Sequence, residues 1–133
     1  MRFVDGTGLS SGFLTRHEGL GHTIERHVRK KPAYLLQRLR DEGLEDASTF
    51  FDQNTAERVI RLAVEAHKDE IAKWFSANRS ILTQVHYAGS HLHPIGNAIS
   101  WQNPDMLLPK YDALVRLKRT PRCQIYILTA FPE

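Results

Sequence analysis

The sequence predicts an α+β fold, and two observations carry the prediction. Apolar residues recur at helical spacing up to about residue 77, and after Asn78 the period changes to that of extended chain. The last two extended runs are joined by a short connection containing Thr120, Pro121 and Arg122, which makes them an antiparallel hairpin. Helical segments grouped ahead of strands are the α+β pattern. The chain has 133 residues, 41% of them hydrophobic, which suits one domain with one core.

Residues 1–16 are rich in Gly, Ser and Thr and are expected to form a flexible or loosely docked leader, the domain proper running over 17–133. Gly19 and Gly21 precede a short helical reading in which Ile24 and Val28, four apart, face a core. His22 and His27 are five apart, about 500° of helical rotation, so they do not share one stripe. Pro32 fits the first turn of a second helix, with Leu35, Leu36 and Leu39 as its apolar stripe and Gly43 as its stop. Arg38 flanks that stripe at the edge of the core. Ser48 to Asp52 reads as a turn with an aromatic anchor. A long helix is predicted from Asn54 to Ala77, its stripe Ile60, Ala63/Val64, His67, Ile71 and Trp74/Phe75, so His67 reads as a packed core histidine.

Strands are predicted over Ile81–Tyr87, Ile95–Trp101, Ala113–Arg119 and Gln124–Phe131, with Asn103 to Pro109 as a loop. In the last strand, alternation puts Ile125, Ile127, Thr129 and Phe131 on one face and Tyr126, Leu128 and Ala130 on the other.

The single cysteine, Cys123, excludes an intramolecular disulfide and suits a reducing compartment. There is no run of about 18 apolar residues and no signal-peptide pattern, so a soluble chain without a membrane partner is expected. The formal net charge of +3 decides little, but its distribution is uneven. Arg26, Arg29, Lys30, Lys31, Arg38 and Arg40 fall within fifteen residues that hold no acid, whereas residues 44–79 hold seven acids against five bases. Two imidazoles, His22 and His27, lie in or beside this cationic stretch. Histidine exchanges a proton near neutral pH and arginine carries a fixed charge, a combination suited to phosphoryl chemistry on RNA. The second wall of such a site is expected from the C-terminal run, Gln124 to Glu133. His86, His91 and His93 invite a metal site, but no carboxylate or cysteine lies near them in sequence to complete the ligands, and no metal or other cofactor is expected.

The segment Gly21-His22-Thr23-Ile24-Glu25-Arg26-His27-Val28, the helix Leu35 to Leu39, Ala47-Ser48-Thr49-Phe50 ahead of Thr55-Ala56-Glu57, and Tyr126 to Glu133 together resemble the bacterial ribonuclease A-like toxin domain of contact-dependent growth inhibition and other polymorphic toxins. The resemblance implies a kidney-shaped α+β fold, with N-terminal helices packed on a C-terminal antiparallel sheet and no disulfides. It implies a metal-independent endoribonuclease acting on RNA and leaves open whether the substrate is one tRNA or bulk RNA. Such a toxin is delivered from a secreted or cell-surface carrier into the target-cell cytoplasm, acts as a monomeric domain and is neutralised by a cognate immunity protein. It maps the family's catalytic histidine, arginine and threonine onto His27, Arg38 and Thr129. Phe131 stands where the family has tyrosine, and Arg29 where a glycine is usual.

On this reading His27 transfers the proton of a ribose 2′-hydroxyl, Arg38 and Thr129 stabilise the phosphate, His22 assists, and Phe131, Arg29 and Lys30 bind substrate. Two rivals are a non-catalytic RNA-binding module, which would bind RNA in a salt-sensitive way without cleaving it, and a metal-dependent hydrolase using His86, His91 and His93, which EDTA would abolish.

Overall fold

The chain passes from helix to strand twice, because one strand lies ahead of the long helix. The computed structural model describes residues 2–4 and 8–133. In order they form α1 (Phe13–His17), α2 (Thr23–His27), α3 (Pro32–Glu42), β1 (Asp46–Phe50), α4 (Gln53–Ala66), α5 (Lys68–Ser76), β2 (Ile81–Tyr87), β3 (Gly96–Ser100), β4 (Asn103–Lys110), β5 (Ala113–Arg119) and β6 (Ile125–Pro132). The α+β prediction holds, and the antiparallel part consists of two three-stranded sheets, in the orders β1-β3-β4 and β2-β5-β6. They are tied where the Ser48 hydroxyl of β1 donates to the Pro132 carbonyl of β6 at 2.7 Å. No described helix is long and apolar enough to cross a membrane.

The main core lies between β2-β5-β6 and the helices, with Phe13, Phe50, Ile60, Ile71, Val115 and Ile127 fully buried. A second cluster joins Leu35 and Leu39 of α3 to Ala47 and Ile99. Burying each of those leucines contributes about 1.5–3 kcal/mol, which anchors α3 on the β1-β3-β4 sheet.

Four sequence expectations change. Ser48 to Phe50, read as part of a turn, belongs to β1, which pairs with β3 from Asp46↔Ser100 to Phe50↔Gly96. Ala47 to Phe50 are all buried, so covering both faces has erased the alternation that marks a strand. Asn103 to Pro109, read as a loop, is the edge strand β4. It is exposed along nearly its whole length, and its position at the sheet edge tolerates Pro104 and Pro109.

The long helix is two helices meeting at His67 (φ −113°, ψ 21°), so His67 is a half-exposed junction residue and not part of a buried stripe. Its ring lies 3.0 Å from the His86 carbonyl and 3.1 Å from Glu70. Part of the stretch expected as a flexible or loosely docked leader packs against the rest of the chain. Phe13 and Leu14 are in the core, Glu57 accepts from the Gly12 and Leu14 N–H groups at 2.9 and 3.1 Å, and the Val4 N–H donates to the Ile125 carbonyl at 2.9 Å. The Gly and Ser content there marks the turns entering α1. Residues 1 and 5–7 lie outside the described residues.

The β5–β6 hairpin is as predicted, but β6 carries a bulge. Arg116 pairs with Thr129 and the next residue, Leu117, with Ile127, which leaves Leu128 as the extra residue. Ile125, Ile127 and Ala130 therefore face the core, while Thr129 and Phe131 face away from it into a pocket. Strict alternation placed Thr129 and Phe131 together correctly, and placed them wrongly with Ile125 and Ile127.

Candidate active site

Helix α2 has only five residues and is positioned by its flanks. Before it, the His22 N–H donates to the Leu128 carbonyl at 3.0 Å, so the N-terminal segment runs beside β6. A Cβ on Gly21 would stand 2.0 Å from the Ile127 carbonyl oxygen, which accounts for glycine at that close approach. After α2, Val28 bridges Phe50 and the Arg29 N–H donates to the Phe50 carbonyl at 3.0 Å. Arg29 has φ +53°, the left-handed conformation a glycine adopts without strain.

These ties bury the His27 ring. Its Nδ1 lies 3.2 Å from the Ser48 carbonyl, which can only accept, so Nδ1 carries the proton and Nε2 carries the lone pair. Burial pushes the His27 pKa down to about 3, against the raising effect of the Ser48 bond, and the Arg38 charge adds to the depression. His27 is neutral at pH 7. Burial, then the Arg26 charge, also lowers the pKa of His22.

His27 and His22 open on a pocket of about 270 Å³ whose other walls include Arg26, Arg38, Arg116, Thr129 and Phe131. Arg38 Nε donates to Glu42 at 2.7 Å, and Arg26 reaches the same carboxylate at 3.4 Å. Glu42 thus aims Arg38, and the Arg38 hydrogen bond in turn holds the carboxyl pKa below its usual range. Thr129 is only 4% exposed, and its hydroxyl has no hydrogen-bond partner among the described residues. A buried donor in that position is available to a ligand. The Phe131 ring lies 5.3 Å from the His27 ring on one side and 5.4 Å from the Arg116 guanidinium on the other.

All four residues expected to act on the phosphate, His22, His27, Arg38 and Thr129, line this one pocket, as does Phe131. Arg29 and Lys30 do not. Arg29 lies beside Asp52, whose carboxyl pKa it helps to lower, and Lys30 Nζ sits 4.9 Å over the Tyr34 ring. Their closeness to His27 in sequence is undone by the chain reversal at Arg29.

Sequence reasoning missed Arg116 and Ser48. The alternation of Leu114, Arg116 and Lys118 against the core residues Val115 and Leu117 was the available signal for Arg116, and Ser48 stood inside a motif of the resemblance without being given a role. The other histidines lie elsewhere. His86 pairs with Glu133 at 2.7 Å, and His91 stacks on Tyr111 with ring centres 5.0 Å apart. Among the described residues no group of three or more His, Cys, Asp or Glu is arranged to hold a metal ion.

An α+β fold of N-terminal helices and antiparallel sheets, with one cysteine and no disulfide, is that of the ribonuclease A-like class of bacterial toxin domain. Residues 21–132 match the family described as the bacterial CdiA-CT RNAse A domain, and the chain belongs to that family of ribonuclease toxins of contact-dependent growth inhibition. It is also similar to a solved structure, the CdiA-CT/CdiI complex from Y. kristensenii 33638, with a TM-score of 0.74 and 29% identity over 85% of this chain and 99% of that one. No curated protein matches the chain.

Proposed function

We propose that this domain is a metal-independent endoribonuclease that cleaves RNA by transphosphorylation. His27 Nε2 takes the proton of a ribose 2′-hydroxyl, whose oxygen attacks the adjacent phosphorus. The bond from phosphorus to the 5′-oxygen breaks, giving a 2′,3′-cyclic phosphate, and His22 returns a proton to the leaving oxygen. Arg38 and Arg116 balance the charge on the non-bridging oxygens, the Thr129 hydroxyl donates to one of them, and Phe131 presents its ring to a base. Burial leaves the His27 imidazole neutral and able to accept a proton, and the negative phosphate entering the pocket raises its pKa towards the working pH, which strengthens it as a base. For the acid, the negative phosphate entering the pocket favours the charged imidazolium.

The observation that carries this reading is the His27 ring fixed through Nδ1 to Ser48, with its lone-pair nitrogen left to a pocket that also holds three guanidiniums and a buried hydroxyl unpartnered among the described residues. By the same proposal the toxin is delivered into the cytoplasm of a target cell and is neutralised by a cognate immunity protein. A toxin and immunity complex among its structural relatives supports that part.

The test is cleavage of total RNA in EDTA. His27→Ala should lower the rate about 10²- to 10⁴-fold with the fold intact by circular dichroism, and Arg38→Ala should be nearly as damaging. A folded His27→Ala protein that cleaves at the wild-type rate would remove His27 from the mechanism. Salt-sensitive binding without cleavage by the wild type would instead favour the binding module.

A further inference from the structure

Outside the pocket, a second concave surface lies at the far end of the same hairpin. Two grooves, of about 620 and 570 Å³, meet at the β5–β6 turn and share Leu20, Thr120 and Pro121. Among the described residues their linings include Arg16, Lys118, Arg119 and Arg122 and contain no carboxylate. Arg119 is committed locally, lying 4.1 Å over the Phe75 ring and bonding Asn78 at 2.6 Å. Lys118 and Arg122 differ, having no ion pair or hydrogen bond among the described residues. Cations without a carboxylate partner on a concave surface favour a polyanion.

The register connects this surface to the pocket. On the side of the hairpin facing away from the core, β5 presents Leu114, Arg116 and Lys118, paired respectively with Phe131, Thr129 and Tyr126 of β6. The Arg116–Thr129 pair belongs to the pocket, and the Lys118–Tyr126 pair, one step further past the bulge, belongs to the groove. Successive same-face positions on a strand lie about 6.6 Å apart, so Arg116 and Lys118 stand one step apart on the same side of the hairpin, with Tyr126 buried beside Lys118.

We propose that this track is an extended RNA subsite, in which the strand leaves the pocket at Arg116, crosses the Lys118–Tyr126 pair and places a phosphate beyond the scissile one between Lys118 and Arg122. The proposal rests on the ribonuclease reading for the identity of the strand. Charge complementarity selects RNA, whose phosphates meet Arg116, Lys118 and Arg122 in turn. A domain that holds nucleotides beyond the cut would prefer longer substrates to a dinucleotide.

The experiment uses the double variant Lys118→Gln/Arg122→Gln, whose changes lie outside the pocket. Binding of an uncleavable 2′-O-methyl oligonucleotide is followed by fluorescence anisotropy against salt. Cleavage is compared between a dinucleotide and an oligonucleotide with a single ribose and enough length to reach the turn. Removing the charges that neutralise this phosphate should reduce the slope of log K against log salt by about 0.7. The longer substrate should lose its kcat/KM advantage while dinucleotide cleavage stays at the wild-type rate.

Equal slopes for wild type and variant, or an equal loss on both substrates, would overturn the subsite. So would a variant whose RNA binding is intact and whose binding of the immunity protein alone is weakened, which would make the groove a protein-docking face. Because the binding arm uses an uncleavable strand, a wild type that cleaves neither substrate would overturn the ribonuclease reading and leave the track tested on its own.

Discussion

The pH dependence of stability should be dominated by His27, and its sign follows from the direction of the shift. The ring has a pKa of about 3 when folded and an ordinary value of 6.5 when unfolded, so between these values the unfolded chain binds the extra proton. The stabilisation is therefore complete above pH 6.5 and is lost as the pH falls towards 3. Integrating the difference from pH 7 to pH 4 gives a loss of about 3 kcal/mol from this one group. The depressed carboxyls of Glu42 and Asp52 lose stabilisation in the same direction, so the contribution of His27 is isolated by comparison with His27→Gln, which keeps a neutral side chain but cannot titrate. Urea unfolding at both pH values, followed by the fluorescence of Trp74 and Trp101 in phosphate-free buffer, reads the difference. Wild type should lose about 3 kcal/mol more than the variant on acidification. Parallel losses in the two proteins would mean that His27 titrates alike in the folded and unfolded chains, and the argument from its burial would fail.

Two other outcomes follow from the pocket and its border. If Phe131 acts through its ring, Phe131→Tyr should change the cleavage rate little and Phe131→Ala should lose about 1–3 kcal/mol of stacking, while His22→Ala should flatten one limb of the bell-shaped pH profile. An unchanged profile in His22→Ala would take His22 out of the proton transfer. Arg29→Gly should leave cleavage unchanged and stabilise the fold by about 1 kcal/mol or less, since relief of the left-handed strain at φ +53° is offset in part by the greater freedom of glycine when unfolded. A marked fall in activity would make Arg29 a substrate contact after all.

What could be read from the sequence was what is local. Ile81–Tyr87 and Ala113–Arg119 are found with the bounds their alternation gave, because each has one face on the core and one away from it. Alternation failed in opposite ways at β1, where both faces are buried, and at β4, where both are exposed. The family motif supplied His27, Arg38 and Thr129, which converge on one pocket although 91 positions separate Arg38 from Thr129. Arg116 and Ser48 were missed because their significance lies in partners on other elements. The opposite error came from counting charge, since Arg29 and Lys30 adjoin His27 in sequence and are directed elsewhere by one left-handed residue.

The extra residue at Leu128 lets one strand be read in two frames. Up to Ile127 the odd-numbered positions of β6 serve the core, and from Thr129 onwards the odd-numbered positions serve the pocket while Ala130 takes over the core. Pairing this strand without the bulge, so that Leu128 took its place in strict alternation, would leave the composition of the strand untouched and yet turn Thr129 and Phe131 into the hydrophobic interior and Ala130 away from it. The hydrogen-bond ladder could still form, so the cost would fall on what each side chain meets. The placing of the pocket residues therefore depends on where the ladder skips a residue as well as on which residues the strand holds.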